Sequence, residues 1–426
     1  MLSGSFCLLM NAQQRHVHLC ERKGCVPYDD AFLKLMRQAL LILSFFLFAL
    51  QSHSQHRGLN SFVANEQYFK GSKKATAFYK SKEYLKADVL FDSLYNNFNK
   101  LLSIDKYNAA CCWSLVGNSD KAFLYLNSYA KDDKELNILD LLNDSDLVFL
   151  HSDPRWKMFA SLMQSNIDSA KKKYHFKDTT VNVGSHNLHF KILKGNSTVI
   201  LFEAGGLDDS RTWGDFLMTV HDQTGATLVA YDRAGFGKST RDSIHSDISF
   251  EVRSLETGLK KLGYEKTKFI VVCHSLGGLY STLFISRNKN RILSAVYIDA
   301  SISCFYNESI VMRILIDPVK PNLEKIKREN VGIFYIYKDI EKNINVLSKV
   351  RFPVTVPIRD IISDNATWQA ASDNERWEKC HREFCAATKN RVFLVDKGCN
   401  HYIFKDNPRL IINEIATAYK TTRNKP

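Results

Sequence analysis

The chain has 426 residues, enough for two or three domains that each bury a core. Hydrophobic residues make up 45% and charged residues 24%, a balance that excludes a disordered or collagen-like chain. The formal charge of +13 is spread thinly, with no basic stripe interleaved with aromatics, which argues against nucleic acid as a partner and fits a basic protein drawn at most to anionic surfaces.

The N-terminus reads as a targeting segment rather than as fold. Lys34 and Arg37 precede the apolar run Ala39–Leu50, and polar residues follow, with cleavage expected near Ser54 or Gln55. This order of charged, apolar and polar regions is that of a secretory signal. The run has twelve residues, too few to cross a bilayer, so no stable membrane span is expected. Residues 36–55 are assigned to the signal peptide and 1–35 to a spurious or unstructured leader, with Met36 as the expected start. The competing reading is an internal signal anchor, and N-terminal sequencing decides between them. A secreted or periplasmic location follows.

Of ten cysteines, Cys7, Cys20 and Cys25 lie in that leader. Cys111 and Cys112 read as small packing residues in a helix. One disulfide among Cys304, Cys380, Cys385 and Cys399 is allowed, with the pairing open. Cys380, His381 and Cys385 resemble a metal site only weakly.

Residues 60–170 are rich in helix formers, with apolar positions three and four apart. Ala75, Lys82, Ala87 and Phe91 reappear 35 residues later as Ala110, Gly117, Ala122 and Leu126. Small residues fall where antiparallel helices would touch, and Gly117 falls in the turn. The spacing resembles the tetratricopeptide repeat. The first unit lacks the turn glycine. Helices around Leu136–Leu142 and Pro154–Met163 would complete the array, the latter begun by Asp153 as N-cap with proline behind it. Such an array is either a concave surface for a peptide or protein partner, or an appendage that packs on the enzyme and shapes its entrance.

From about residue 178 to 426, strands and helices alternate as in a mostly parallel α/β sheet. Strands are predicted at 181–183, 188–193, 198–202, 227–231, 269–272, 293–298, 353–358 and 391–395. The third is followed by Glu203-Ala204-Gly205-Gly206-Leu207. After the fourth comes Tyr231-Asp232-Arg233-Ala234-Gly235-Phe236-Gly237-Lys238-Ser239. The fifth runs into Cys273-His274-Ser275-Leu276-Gly277-Gly278 and a helical pattern. Strand, tight turn and helix with a serine at the turn match the nucleophile elbow G-x-S-x-G, with Cys273 in place of the first glycine.

With these motifs, residues 178–426 resemble the α/β-hydrolase superfamily throughout their length. The resemblance implies an α/β-hydrolase fold behind an all-α helical-repeat domain, with Ser275 as nucleophile. It places the oxyanion hole at the backbone N–H groups of Gly206 and Leu276, although Ala204-Gly205 stands where the superfamily usually has His-Gly. The segment Asp232–Ser239 matches its D-x-x-G-x-G-x-S turn and reads as structural. Gly398-Cys399-Asn400-His401, after the last strand, matches its G-x-G-H segment and makes His401 the general base.

The acid stays open. Asp360, after the seventh strand, is placed first, Asp299 at the end of the sixth second, and Asp364 third. Residues 302–351 occupy the interval of the cap. Its Lys320, Lys325, Lys327, Arg328, Phe334, Tyr335 and Tyr337 either favour an anionic or acyl-bearing substrate or face solvent, the preferred reading.

The expected activity is an esterase-like serine hydrolase acting on an ester, thioester or amide through an acyl-enzyme, with no metal or organic cofactor. A nucleophilic serine argues against dehalogenase and epoxide-hydrolase chemistry, which the superfamily runs with an aspartate. The alternatives are an inactive hydrolase-fold scaffold whose helical repeats bind a protein, and an acyltransferase.

Overall fold

The computed structural model describes residues 66–98, 101–132, 139–242, 244–364, 368, 370–397 and 399–423, all within one compact unit. The expected leader and signal segments, with Cys7, Cys20 and Cys25, lie outside them, as does Gly398.

Four helices open the described chain: α1 (Glu66–Lys80), α2 (Tyr84–Asn97), α3 (Ser103–Leu115) and α4 (Ser119–Asp132). Each packs on the next. The repeated small and apolar residues Ala75, Ala87, Phe91, Ala110, Ala122 and Leu126 are all fully buried. The two turn positions also correspond: Gly117 has φ +79° and Lys82 has φ +62°. The first unit therefore makes the same left-handed turn without glycine, at a cost on the order of 1 kcal/mol. A 3₁₀ stretch, Ser145–Ser152, which the sequence did not predict, separates α4 from α5 (Pro154–Lys173). The Asp153 side chain caps α5 by accepting from Arg155 N–H at 2.9 Å.

The rest is one eight-stranded sheet: β1 (Phe176–Asn182), β2 (Asn187–Leu193), β3 (Asn196–Glu203), β4 (Ala226–Tyr231), β5 (Phe269–His274), β6 (Ile292–Ile298), β7 (Ile358–Ser363) and β8 (Arg391–Asp396). Their spatial order is β1-β2-β4-β3-β5-β6-β7-β8. The β1–β2 and β2–β4 pairs are antiparallel and the others parallel. The central strands β4 and β5 are buried at every residue, as a parallel sheet covered on both faces requires.

Two strands depart from their predicted positions, and the first, expected at 181–183, runs over Phe176–Asn182. The seventh was expected at 353–358 and runs over Ile358–Ser363 instead. Pro353 and Pro357 explain the shift, since neither has an N–H for a ladder flanked on both sides. The shift moves Asp360 from the loop into the middle of the strand, which decides its role below.

Two apolar cores lie on the two faces of the sheet. One joins the sheet to the N-terminal helices, α6 (Phe216–Thr224) and, at the C-terminus, Pro408–Arg423. At this junction Tyr174 Oη donates to Asp222 at 2.6 Å, with Lys173 Nζ at 3.0 Å from the same carboxylate. The other holds α7 (Ile248–Lys261), α8 (Gly277–Arg287) and parts of the insertion after β6.

That insertion folds as short helical turns followed by α9 (Leu323–Glu329), α10 (Val331–Lys338) and α11 (Ile340–Ser348). Its seat is the segment after β4: Asn343 Oδ1 accepts from Ile248 N–H at 2.9 Å, and Arg241 lies 4.0 Å from the Tyr335 ring centroid. Lys320, Lys325, Lys327 and Arg328 are exposed, as the solvent-facing reading expects. No helix among the described residues is long and apolar enough to cross a membrane.

The helix after β7, α12 (Ala371–Ala386), is bonded to the insertion by a Cys304–Cys380 disulfide, which resolves the open pairing. The bridge spans 76 residues of sequence. Closing a loop of that length restricts the unfolded chain by about 4 kcal/mol. Joint Cys304→Ala and Cys380→Ala substitution is expected to lower the melting temperature by several degrees in a thermal scan. An unchanged midpoint would mean that the bridge adds no stability.

Candidate active site

Ser275 sits between β5 and α8 with φ +53°. The turn is held by three backbone bonds. Ser275 N–H donates to Ile298 O at 3.2 Å, and Ser301 N–H and Gly278 N–H donate to Ser275 O at 2.7 and 2.9 Å. Only glycine fits behind the serine: a Cβ on Gly277 would lie 2.5 Å from Ala204 O, and one on Gly278 2.4 Å from Ser301 O. Cys273 needs no such room. It is buried in β5 level with Glu203 on one side and Tyr297 on the other.

Gly206 abuts the elbow. A Cβ there would stand 3.0 Å from the Leu276 side chain. The backbone N–H groups of Gly206 and Leu276 are engaged by no other group among the described residues. They are available as an oxyanion-binding pair.

The loop carrying Gly206 is clamped by Arg233. Its Nη1 reaches Glu203 Oε1 at 2.7 Å and Ala204 O at 2.6 Å, and Nη2 donates to Gly205 O. Tyr231 Oη also donates to Glu203. Phe236 and Tyr280 flank the guanidinium, with ring centroids 5.3 and 5.1 Å away. Burial opposes the charge, but Glu203 beside it holds Arg233 above its ordinary range. The loop that lacks the His-Gly pair is thus fixed by a buried ion pair. Asp232 ties its turn to neighbouring segments: Oδ1 accepts from Ser210 N–H at 2.9 Å, and Oδ2 from Lys238 N–H at 2.9 Å and the His189 ring at 3.0 Å.

His401 follows β8 and is partly exposed, with a side-chain accessibility of 24%. Its Nδ1 lies 2.7 Å from Asp299 Oδ2. Asp299, directly after β6, is fully buried and has φ +42°. Its N–H donates to Ile361 O at 2.7 Å. The order of the aspartates is therefore corrected. Asp360, placed first, is not the partner of His401. It lies inside β7, level with Tyr297, and its Oδ2 is 2.8 Å from Nδ1 of the fully buried His381. Asp364 is an exposed residue just past β7 whose backbone N–H donates to Asp396 O. The weak metal pattern is likewise committed elsewhere: Cys380 is in the disulfide, His381 bonds Asp360, and Cys385 Sγ points at Asp360 Oδ2 at 3.5 Å.

The histidine loop has a support that the motif did not reveal. His274, in the elbow itself, is fully buried, and its Nε2 is 3.0 Å from His401 O. A carbonyl can only accept, so Nε2 carries the proton. Burial, reinforced by His401 nearby, drives His274 well below the usual imidazole range and keeps it neutral.

A family model described as "Alpha/beta hydrolase family" matches residues 200–413, half of the chain. The chain belongs to the alpha/beta hydrolase family. An uncharacterized protein of Bacillus subtilis, YqjL, is 25% identical over 236 residues, which cover 55% of this chain and 88% of that protein. An uncharacterized vacuolar membrane protein of Saccharomyces cerevisiae is 29% identical over 126 residues, 29% of this chain and 18% of that one. Among solved structures, a Vigna radiata epoxide hydrolase mutant superposes with TM-score 0.46 at 14% identity, over 58% of this chain and 99% of that one. A serine hydrolase from Cycloclasticus zankles gives 0.43 at 14% identity, over 59% and 100%.

Within this hydrolase fold, Ser275, His401 and Asp299 stand at the C-terminal edge of the sheet, after β5, β8 and β6 respectively. Among the described residues three non-glycines have positive φ, and two of them are Ser275 and Asp299. Such backbone costs about 1–3 kcal/mol per residue and persists where surrounding bonds hold it.

Proposed function

We propose that this alpha/beta hydrolase is a serine hydrolase that cleaves an ester, thioester or amide through an acyl-enzyme on Ser275. The observation that carries the reading is the 2.7 Å Asp299–His401 pair, whose histidine backbone is bonded to His274, the neighbour of a serine held at positive φ on the elbow. Asp299 fixes the His401 ring by its Nδ1 proton, which leaves Nε2 as the base. Ser275 Oγ attacks the acyl carbon while Nε2 takes its proton. The tetrahedral oxyanion accepts hydrogen bonds from Gly206 and Leu276 N–H, each worth roughly 3–4 kcal/mol in the transition state. His401 returns the proton to the leaving group. Water then repeats the sequence on the acyl-enzyme, freeing the acid and Ser275.

The charge order of residues 34–55 and the Cys304–Cys380 bridge support an oxidising, secreted or periplasmic compartment. The N-terminal helices support a second role, as a platform over the sheet face opposite α12.

Treatment with a fluorophosphonate probe, followed by peptide mapping, is expected to place one phosphonyl group on the peptide containing Ser275. Folded protein that takes up no probe would overturn the assignment of an activated serine.

A further inference from the structure

Asp299 has a second oxygen, and a side chain remote in sequence meets it. Trp377, on α12, directs its indole Nε1–H to Asp299 Oδ1 at 3.1 Å. Ser363 N–H approaches the same oxygen at 3.4 Å. We infer that Trp377 is a positioning residue for the reaction: its indole N–H fixes the Asp299 carboxylate so that Oδ2 faces His401 Nδ1. The inference rests on the Ser275–His401–Asp299 reading.

The geometry explains why this contact is reproducible. Asp360 is level with Tyr297 on the neighbouring strand, and Asp299 lies two residues further along the chain, just past the strand's end. Two strand residues advance about 6.6 Å. Trp377 and His381 are four residues apart on α12, an advance of about 6 Å along one helix face. One face of α12 therefore meets two carboxylates in step, His381 on Asp360 and Trp377 on Asp299. The helix is pinned in that register from its other neighbours too. Cys380 is bonded to Cys304, and Arg376 Nε and Nη2 donate to Phe305 O and Cys304 O at 2.8 and 2.9 Å. The Trp377 ring is packed edge-on against Phe305, with centroids 5.0 Å apart, and is itself buried.

A buried carboxylate with one oxygen on the histidine still rotates about its Cβ–Cγ bond unless the other oxygen is held. A backbone N–H at 3.4 Å is a weak restraint. Of these two donors the indole is the closer, and it is carried by a rigid, buried ring. It is also a donor only, so it can meet Oδ1 solely as an acceptor.

The test removes the N–H and keeps the ring. Trp377 is replaced site-specifically by 3-benzothienylalanine, an isostere with sulfur at the N–H position, and in a second variant by Phe (Trp377→Phe). Proton NMR reads the low-field Nδ1–H of His401, assigned by its loss in His401→Ala, and needs no substrate. Hydrolysis of p-nitrophenyl acetate gives kcat and KM, and thermal melting reports folding. The expected result for the isostere is a native melting temperature, a shifted and faster-exchanging Nδ1 proton, and kcat lowered roughly 10- to 100-fold at unchanged KM. An unshifted Nδ1 proton with wild-type kcat in the folded isostere overturns the proposal. Failure of wild-type protein to take up a fluorophosphonate overturns the acyl-enzyme reading instead, while the NMR comparison still decides whether Trp377 holds the pair.

Discussion

Replacing Ser275 by alanine is expected to lower kcat about a millionfold, to a residual rate set by binding and the oxyanion donors. The size follows from what the hydroxyl does. Without it no acyl-enzyme forms, and His401 can at best activate water in a site built around a different attacking atom. His401→Ala is expected to cost a similar factor, and the double variant little more, because the serine and its base act as one unit. The check is steady-state hydrolysis of p-nitrophenyl acetate and butyrate by the wild type and all three variants. The backbone of the elbow is expected to survive in Ser275→Ala, since its bonds to Ile298, Ser301 and Gly278 are made by main-chain atoms. A Ser275→Ala protein that keeps even a hundredth of wild-type kcat would mean that the nucleophile lies elsewhere. A wild type inert towards every ester tried, and towards the phosphonate probe, would favour the scaffold alternative.

The elbow was legible because its chemistry is local. An apolar run, a small residue, the serine and two glycines stand close together in sequence, and the structure shows what the glycines are for: a Cβ at either would come within 2.4–2.5 Å of a carbonyl oxygen, of Ser301 or of Ala204. The helical repeat was legible for the same reason. The small residues Ala75, Ala87, Ala110 and Ala122 mark contacts that recur with the period, and even the missing turn glycine has its counterpart in the left-handed Lys82.

What was not legible depends on contacts between distant segments. The sequence placed the seventh strand five residues early because 353–358 reads as apolar and β-branched. The prolines at 353 and 357 were the available signal, and weighting them would have started the strand at Ile358. That displacement put Asp360 where the resemblance locates the acid, since a residue expected after the strand was in fact inside it. The Arg233–Glu203 ion pair, the His274 bond to His401 O and the Trp377 donor had no such signal, except one. Asp373, Trp377, His381 and Cys385 recur every four residues on α12, all buried although Asp373 and His381 are polar or charged and Trp377 carries an N–H. A polar stripe on the buried face of a helix asks for polar partners on the sheet beneath it, and those partners are Asp299 and Asp360.

The two buried aspartates should separate cleanly on substitution. Asp299→Asn is expected to lower kcat about ten-thousandfold with KM little changed, because an amide toward Nδ1 favours the wrong imidazole tautomer and no longer stabilises the imidazolium. The fold should tolerate it, since Asn retains an oxygen that can accept from Trp377 Nε1. Asp360→Asn should do the reverse. Its partner is the fully buried His381 rather than His401, so kcat should stay within a few-fold of wild type while stability falls by roughly 1–3 kcal/mol, the cost of an imperfectly satisfied buried polar group. Measuring kcat and the melting temperature for both variants gives a crossed pattern, activity lost in one and stability in the other. The opposite crossing, with Asp360→Asn inactive but native-like in melting and Asp299→Asn active, would return the acid to β7. It would also require His401 to leave the carboxylate it now holds at 2.7 Å. That rearrangement would have to pull Trp377 and its helix with it, against the bridge to Cys304 and the His381–Asp360 bond that fix α12 on the sheet.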